Sequence, residues 1–289
     1  MARLGSQVTV FGRSGKILEK EDPEAADIIL KQMQEDGVTF RLQTEYDRID
    51  QGEDGTIKIH FKENGEGQTV EVDELLVAAG RTPNVTNMGL EAAGVEFDRR
   101  GIKINDFCQT TNKSIYAVGD CCSKYKFTHV ADFMARLVIR NALFFGSGRF
   151  SGLLIPWATY TEPEVAHVGL YEHDLIAKGT KYTKYVKELA DVDRAICDGD
   201  ENGFVKILVA QGSDKILGAT IVASNAGNMI SEVSVAMQAN FGLGSLAYVI
   251  HPYPTQAEAI RQCGDLYNKT RLTSFVKTVF RGLLAWRRN

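Results

Sequence analysis

The pattern of apolar and polar positions changes period several times along the 289 residues. Residues 1–4 read as the last turn of a helix with Gly5 as its C-cap, followed by a strand over 7–11 that ends at Gly12-Arg13-Ser14. Asp22 and Pro23 supply an N-cap and a first-turn proline; Ile29, Leu30 and Met33 share one face, and Gly37 stops the helix. A strand over 38–42 follows, so the first two strands should run parallel. Ile57, Ile59 and Phe61 alternate with Lys58 and His60, the period of a half-buried strand, and Asn64-Gly65 is a hairpin turn. Apolar runs over 75–79 and 114–118 predict buried strands, with a loop-rich stretch to about residue 100 after the first. A helix over 130–145 leads to a boundary at Gly146-Ser147-Gly148. Beyond it the pattern turns to strand pairs, the clearest over 204–210 and 216–223 around Gly212-Ser213-Asp214, and then to helices that include 226–240. The expected fold class is α/β in the first half and α+β in the second.

Composition narrows this picture. With 44% hydrophobic and 24% charged residues, the chain can build cores, and its length leaves room for two domains. No apolar run reaches membrane-spanning length, and Arg3, Gln7, Arg13 and Lys16 interrupt any signal-peptide core. Five cysteines at irregular spacing fit neither a disulfide framework nor a zinc module, so no metal site and a reducing, cytoplasmic location are expected. A net charge of −4 argues against a nucleic-acid partner.

Three strand exits carry candidate chemistry. The first offers Arg13, with Lys16 nearby and no carboxylate before Glu19, which suits a 2′-phosphate and hence NADPH over NADH. A solvated arginine on a loop explains that segment equally well. The second runs Leu76-Val77-Ala78-Ala79-Gly80-Arg81-Thr82-Pro83-Asn84, where glycine lets backbone approach a ligand; an ordinary strand exit is the competing reading. The third, Ser114-Ile115-Tyr116-Ala117-Val118-Gly119-Asp120, delivers a glycine and an acid where α/β sheets bind ligands, and Asp120 either accepts from a polyol or caps a turn.

The order of the second and third segments resembles the class I pyridine nucleotide–disulfide oxidoreductases, which include glutathione reductase, lipoamide dehydrogenase and mercuric reductase. The stretch from Trp157 to Gly169, with Thr161-Glu162-Pro163-Glu164 inside it, looks like the opening of that family's interface domain. Ile216-Leu217-Gly218-Ala219 and Ala226-Gly227-Asn228-Met229-Ile230 are similar to its core strand and helix. The resemblance covers nearly the whole chain. It implies a partial FAD/NAD(P)-binding Rossmann-like region, with a partial NAD(P) domain over 1–80 and a returning segment of the FAD domain over 81–150. A dimerisation domain over 151–268 and a basic amphipathic tail over 269–289 complete the division. On that resemblance Gly119 and Asp120 would hold the FAD ribitol, and Thr128, His129, Val130 and Ala131 would line the flavin at a helix N-terminus. Gly80 and Arg81 would sit near the junction of the two nucleotides, and Arg13 would hold the NADPH 2′-phosphate.

The family's acid–base element is His-Pro-Thr-x-x-Glu. Here the text is His251-Pro252-Tyr253-Pro254-Thr255-Gln256-Ala257-Glu258. Pro254, Thr255 and Glu258 match, which puts Tyr253 where the histidine stands, as in the mercuric reductase branch. His251 falls two residues early. Tyrosine is a poor base at neutral pH but can donate a hydrogen bond or a proton. Tyr253 is favoured over His251 as the site residue, with packed loop residues as the alternative for both. The mercuric reductase cysteine pair at the C-terminus has no counterpart in Trp286-Arg287-Arg288-Asn289, so mercury is a doubtful substrate. Cys121-Cys122 reads as small buried filling.

From Lys269 onward stand six basic residues and no acidic ones, while the rest of the chain carries 27 basic against 37 acidic. Phe275, Val276, Val279, Phe280, Leu283, Leu284 and Trp286 interleave with the charges. This reads either as a basic amphipathic helix on an anionic membrane surface or as a helix covering the dimer or a neighbouring domain, the latter favoured. The function implied is a homodimeric flavoprotein passing electrons from NAD(P)H through FAD to a disulfide or related acceptor. A non-catalytic dimerising fragment or pseudoenzyme is the alternative. Neither Gly-x-Gly-x-x-Gly nor Cys-x-x-x-x-Cys occurs in the 289 residues, and the chain is expected to be an N-terminally truncated, inactive or incomplete form of a longer enzyme.

Overall fold

The computed structural model describes residues 1–288. Residues 76–155 form one compact unit; 1–75 and the chain from 156 onward form the other. The second unit opens on a short 3-10 turn closed by Gly5 at φ 95°. Strand β1 (Thr9–Phe11), helix α1 (Pro23–Glu35) and strand β2 (Thr39–Arg41) follow, and the two strands are parallel as the spacing requires. Asp22 caps α1 by accepting from the Glu24 backbone N–H at 3.0 Å. Strands β3 (Glu45–Gln51), β4 (Ile57–Glu63) and β5 (Glu66–Val72) make an antiparallel meander. Its β4–β5 turn holds Asn64 at φ 53° and Gly65 at φ 84°, the two left-handed positions of a tight hairpin.

The 76–155 unit contains a small hairpin of β6 (Phe97–Asp98) and β7 (Gly101–Ile102) and one long helix, α2 (Thr128–Leu143). Two expectations fail here. Residues 75–79 form no strand, and Leu76 and Val77 are 89% and 74% exposed. An apolar run becomes a buried strand only where a sheet edge receives it, and β1 and β2 pair only with each other among the described residues. Residues 114–118 are not a ladder strand either. Tyr116 bridges Gln109, and Ala117 packs with Val85, Leu90, Val95 and Ile102. The hairpin at 97–102 was not anticipated, because two-residue strands carry no readable period.

The chain then returns with β8 (Pro156–Thr159), β9 (Glu164–Gly169), α3 (Glu172–Ala177), β10 (Tyr182–Glu188), α4 (Asp193–Asp198), β11 (Phe204–Ala210) and β12 (Ile216–Ala223). The five strands form one antiparallel sheet in the order β10-β11-β12-β9-β8. Helices α5 (Ala226–Gln238), α6 (Leu243–Leu246), α7 (Glu258–Thr270) and α8 (Ser274–Arg288) complete the chain. Ala25 and Ile29 of α1 share a core with Val165, Phe204 and Val222, so the N-terminal segment packs against this sheet. The contact is also polar. Lys206, 2% exposed in the middle of apolar β11, reaches Asp22 at 2.9 Å and Glu24 at 2.7 Å.

Candidate functional site

Within the 76–155 unit the structure brings together most of the residues expected to hold a flavin nucleotide. Gly119 and Asp120 lie in a 3-10 turn, Gly119–Cys121, that leads through a short loop to α2. Gly119 has φ 77°, and a Cβ there would stand 2.9 Å from the Ala131 Cβ. Only glycine lets this turn press against the first turn of α2. The Asp120 side chain is half exposed; its carboxylate lies 3.7 Å from the Arg81 guanidinium, and Lys126 Nζ donates to its backbone carbonyl at 2.9 Å. Gly80, just before Arg81, holds φ 112° with no atom within 4 Å of a would-be Cβ, so conformation and not crowding calls for glycine.

Helix α2 begins at Thr128 behind Phe127, which offers no side-chain oxygen to its N–H groups. His129 is exposed and stacks on Phe127 at 5.3 Å, whereas Val130 is core, packed with Cys108, Met134 and Leu137. Val130 therefore has only backbone to offer a ligand. A carboxylate acceptor, a guanidinium and an uncapped helix start suit a dinucleotide's polyol and phosphates. Cys122 packs against both core clusters of this unit, and burial raises its thiol pKa; burial also pushes Cys108 up to about 11. Among the described residues no group of acids, histidines and cysteines could hold a metal ion.

The other expected residues lie in the second unit. Arg13 follows β1, exposed, and pairs with no carboxylate among the described residues. Tyr253, 71% exposed before a cis Pro254, donates to Asp193 Oδ2 at 2.9 Å, and this bond to a carboxylate raises the phenol pKa. Glu258 opens α7 and accepts from Arg261 at 2.6 Å. His251 has its Nε2 2.9 Å from Glu232 and its Nδ1 3.0 Å from the Val249 carbonyl. The three residues of the acid–base element thus engage three separate partners. Sequence reasoning missed Asp193 and Glu232, which lie 60 and 19 residues from the groups they bind. Arg261, three residues after Glu258 on one helix, was the one partner local spacing could have supplied.

Comparison with known proteins identifies the family of the chain. Residues 1–135 match the pyridine nucleotide-disulphide oxidoreductase family, and residues 155–263 match that family's dimerisation domain. The chain is 36% identical over 260 residues to the mercuric reductase of Bacillus cereus, covering 89% of this chain and 41% of that protein. It is 33% identical over 271 residues to the dihydrolipoyl dehydrogenase of Cupriavidus necator, covering 93% and 57%. Among solved structures, the HOCl-induced flavoprotein disulfide reductase RclA of Escherichia coli superposes with a TM-score of 0.84 at 25% identity, over 92% of this chain and 60% of that one. The chain spans about half the length of the curated relatives it matches. Its two family matches, one on either side of residue 150, make it a member of the pyridine nucleotide-disulphide oxidoreductase family.

Proposed function

We propose that this chain carries part of the nucleotide-binding region and the proton-handling end of a flavoprotein that moves electrons from NADPH to a disulfide or related acceptor. The observation that carries this reading is the convergence of the Gly119–Asp120 turn, the start of α2 and Gly80-Arg81 in one compact unit. FAD, when bound, supplies two-electron transfer from a nicotinamide. Asp120 would accept hydrogen bonds from the ribitol hydroxyls, with the Arg81 guanidinium 3.7 Å from its carboxylate. Thr128, His129 and the backbone of Val130 and Ala131 face the flavin from the positive end of α2. Arg13, with no acidic partner, holds the 2′-phosphate of NADPH.

Tyr253 acts as a proton donor and not as a base. Its bond to Asp193 raises the phenol pKa above the ordinary value near 10, so the proton is in place at neutral pH for a leaving thiolate. His251 and Glu258 stand before and after this donor in the chain, each bound to a partner of its own, Glu232 and Arg261. The family's dimerisation domain and the exposed Tyr248, Ile250 and Tyr253 support a homodimer through residues 151–268.

The test is uptake of FAD by the purified chain and bleaching of the bound flavin by NADPH without oxygen. Tyr253→Phe should leave both unchanged, because the phenol acts only on a leaving thiolate of the acceptor. Protein that takes up no flavin and oxidises no NADPH, yet remains dimeric, would instead establish the alternative, a non-catalytic dimerising chain.

A further inference from the structure

Helix α8, Ser274–Arg288, has no buried residue. Phe275 and Trp286 are 76% and 75% exposed, and Val279, Phe280, Leu283 and Leu284 lie near half. At about 100° per residue, Phe275, Trp286, Val279, Leu283, Val276 and Phe280 share a sector about 140° wide, with Leu284 at its edge. Lys277, Arg281 and Arg288 form the adjoining flank, and the long side chain of Arg287 stands at the end of the apolar sector. The dimerisation-domain match stops at residue 263, before this helix begins. The matched dimerisation domain therefore does not include this helix.

We propose that α8 lies in the plane of an anionic lipid surface, with its aromatic and aliphatic face at the headgroup boundary and its cations on the lipid phosphates. Charge complementarity favours this occupant. The segment from Lys269 carries six cations and no carboxylate, while the remainder of the chain is strongly acidic. That acidic surface is tethered three residues away through Arg271, Leu272 and Thr273, yet α8 buries none of its residues on it. The helix is about 22 Å long, short of the ~30 Å hydrocarbon core, and no helix among the described residues is long and apolar enough to cross a membrane. An in-plane position satisfies both its length and its charged flank.

The experiment is flotation of the full chain with phosphatidylcholine vesicles and with vesicles that also contain phosphatidylglycerol. Binding should appear only with the anionic vesicles and fall as salt rises. Each cation near an anionic leaflet contributes about fivefold, so K277Q/R281Q/R288Q together should weaken partitioning about a hundredfold. F280S/L283S should also release the protein, and Trp286 emission should shift to shorter wavelength on binding in a Trp157→Phe background. Because α8 buries nothing, these variants should keep the parent's far-UV circular dichroism. Failure to float with anionic vesicles would overturn the proposal, as would binding indifferent to F280S/L283S. So would loss of the dimer in vesicle-free solution when residues 274–289 are removed, which would assign the face to a second copy.

Discussion

Lys206→Met is the sharpest perturbation of the fold that carries the acid–base element. In the structure the Lys206 ammonium lies 2.9 and 3.0 Å from the two Asp22 oxygens, 2.7 Å from Glu24 and 3.7 Å from Glu172. The Lys206 side chain is 2% exposed and that of Asp22 5%. Methionine fills similar space but strands the Asp22 carboxylate in the core. Removing one partner of a buried pair costs about 3–5 kcal/mol, whereas an exposed, solvent-screened pair such as Lys58–Glu71 contributes far less. Adding Asp22→Asn to Lys206→Met removes the stranded charge and should restore much of the loss, a coupling that a double-mutant cycle reads directly. Urea unfolding followed by Trp157 fluorescence is the assay, since its indole N–H donates to Glu21 at 3.0 Å in the same contact; Trp286→Phe silences the second tryptophan. A single-mutant loss under about 1 kcal/mol, or additive losses in the cycle, would refute the claim that this ion cluster clamps α1 to the sheet. The acid limb offers a further check. Lys206 lowers the Glu24 pKa, chiefly through its hydrogen bond, so that stability is present above the ordinary carboxylate value and lost as pH falls through the folded one. Lys206→Met should flatten this limb.

Other expectations follow from single sites. His167 is fully buried, and desolvation lowers its pKa to about 4. The unfolded chain therefore binds the extra proton first, and stability should fall as pH drops from about 6.5 toward 4. His167→Gln should reduce that slope in unfolding curves taken across the window. Gly119→Ala forces a side chain into a left-handed backbone and against Ala131, and should cost at least about 1–2 kcal/mol in the 76–155 unit. Hydrogen exchange of α2 amides reads this locally. Arg13→Ala should weaken 2′-phospho-AMP binding about tenfold and leave AMP binding unchanged in calorimetry, as expected for loss of a charged hydrogen bond. Exposed Cys197 should react with thiol reagents well before buried Cys108 and Cys263, the latter raised to about 12 by burial; Cys197→Ser should remove the fast phase.

Much of the fold was legible where local pattern and tertiary use agree. The strands over 204–210 and 216–223 were read to the residue, because apolar, β-branched-rich runs flank a glycine turn. Asp22-Pro23 and Asn64-Gly65 worked for the same reason, since cap and turn chemistry is local. The run over 75–79 misled because its burial depends on a neighbouring strand, and no local period reports whether one is present. The site divides along the same line. Gly80, Gly119 and Asp120 stand at turns whose glycines announce themselves, whereas the Asp193–Tyr253 and Glu232–His251 bonds join distant elements and leave no periodic trace. Lys206 did leave a trace, a lone charge within Phe204–Ala210, and a buried partner was the inference to draw from it.

On the proposed function, Asp120 and its neighbours in the 76–155 unit contact a flavin nucleotide. Equilibrium titration of the purified protein with FAD, followed by quenching of flavin fluorescence, tests it most directly. Binding should be saturable, and Asp120→Ala should weaken it about tenfold or more, the loss expected when a charged acceptor is removed from polyol hydroxyls. Absence of FAD binding, or binding that Asp120→Ala leaves unchanged, would contradict it.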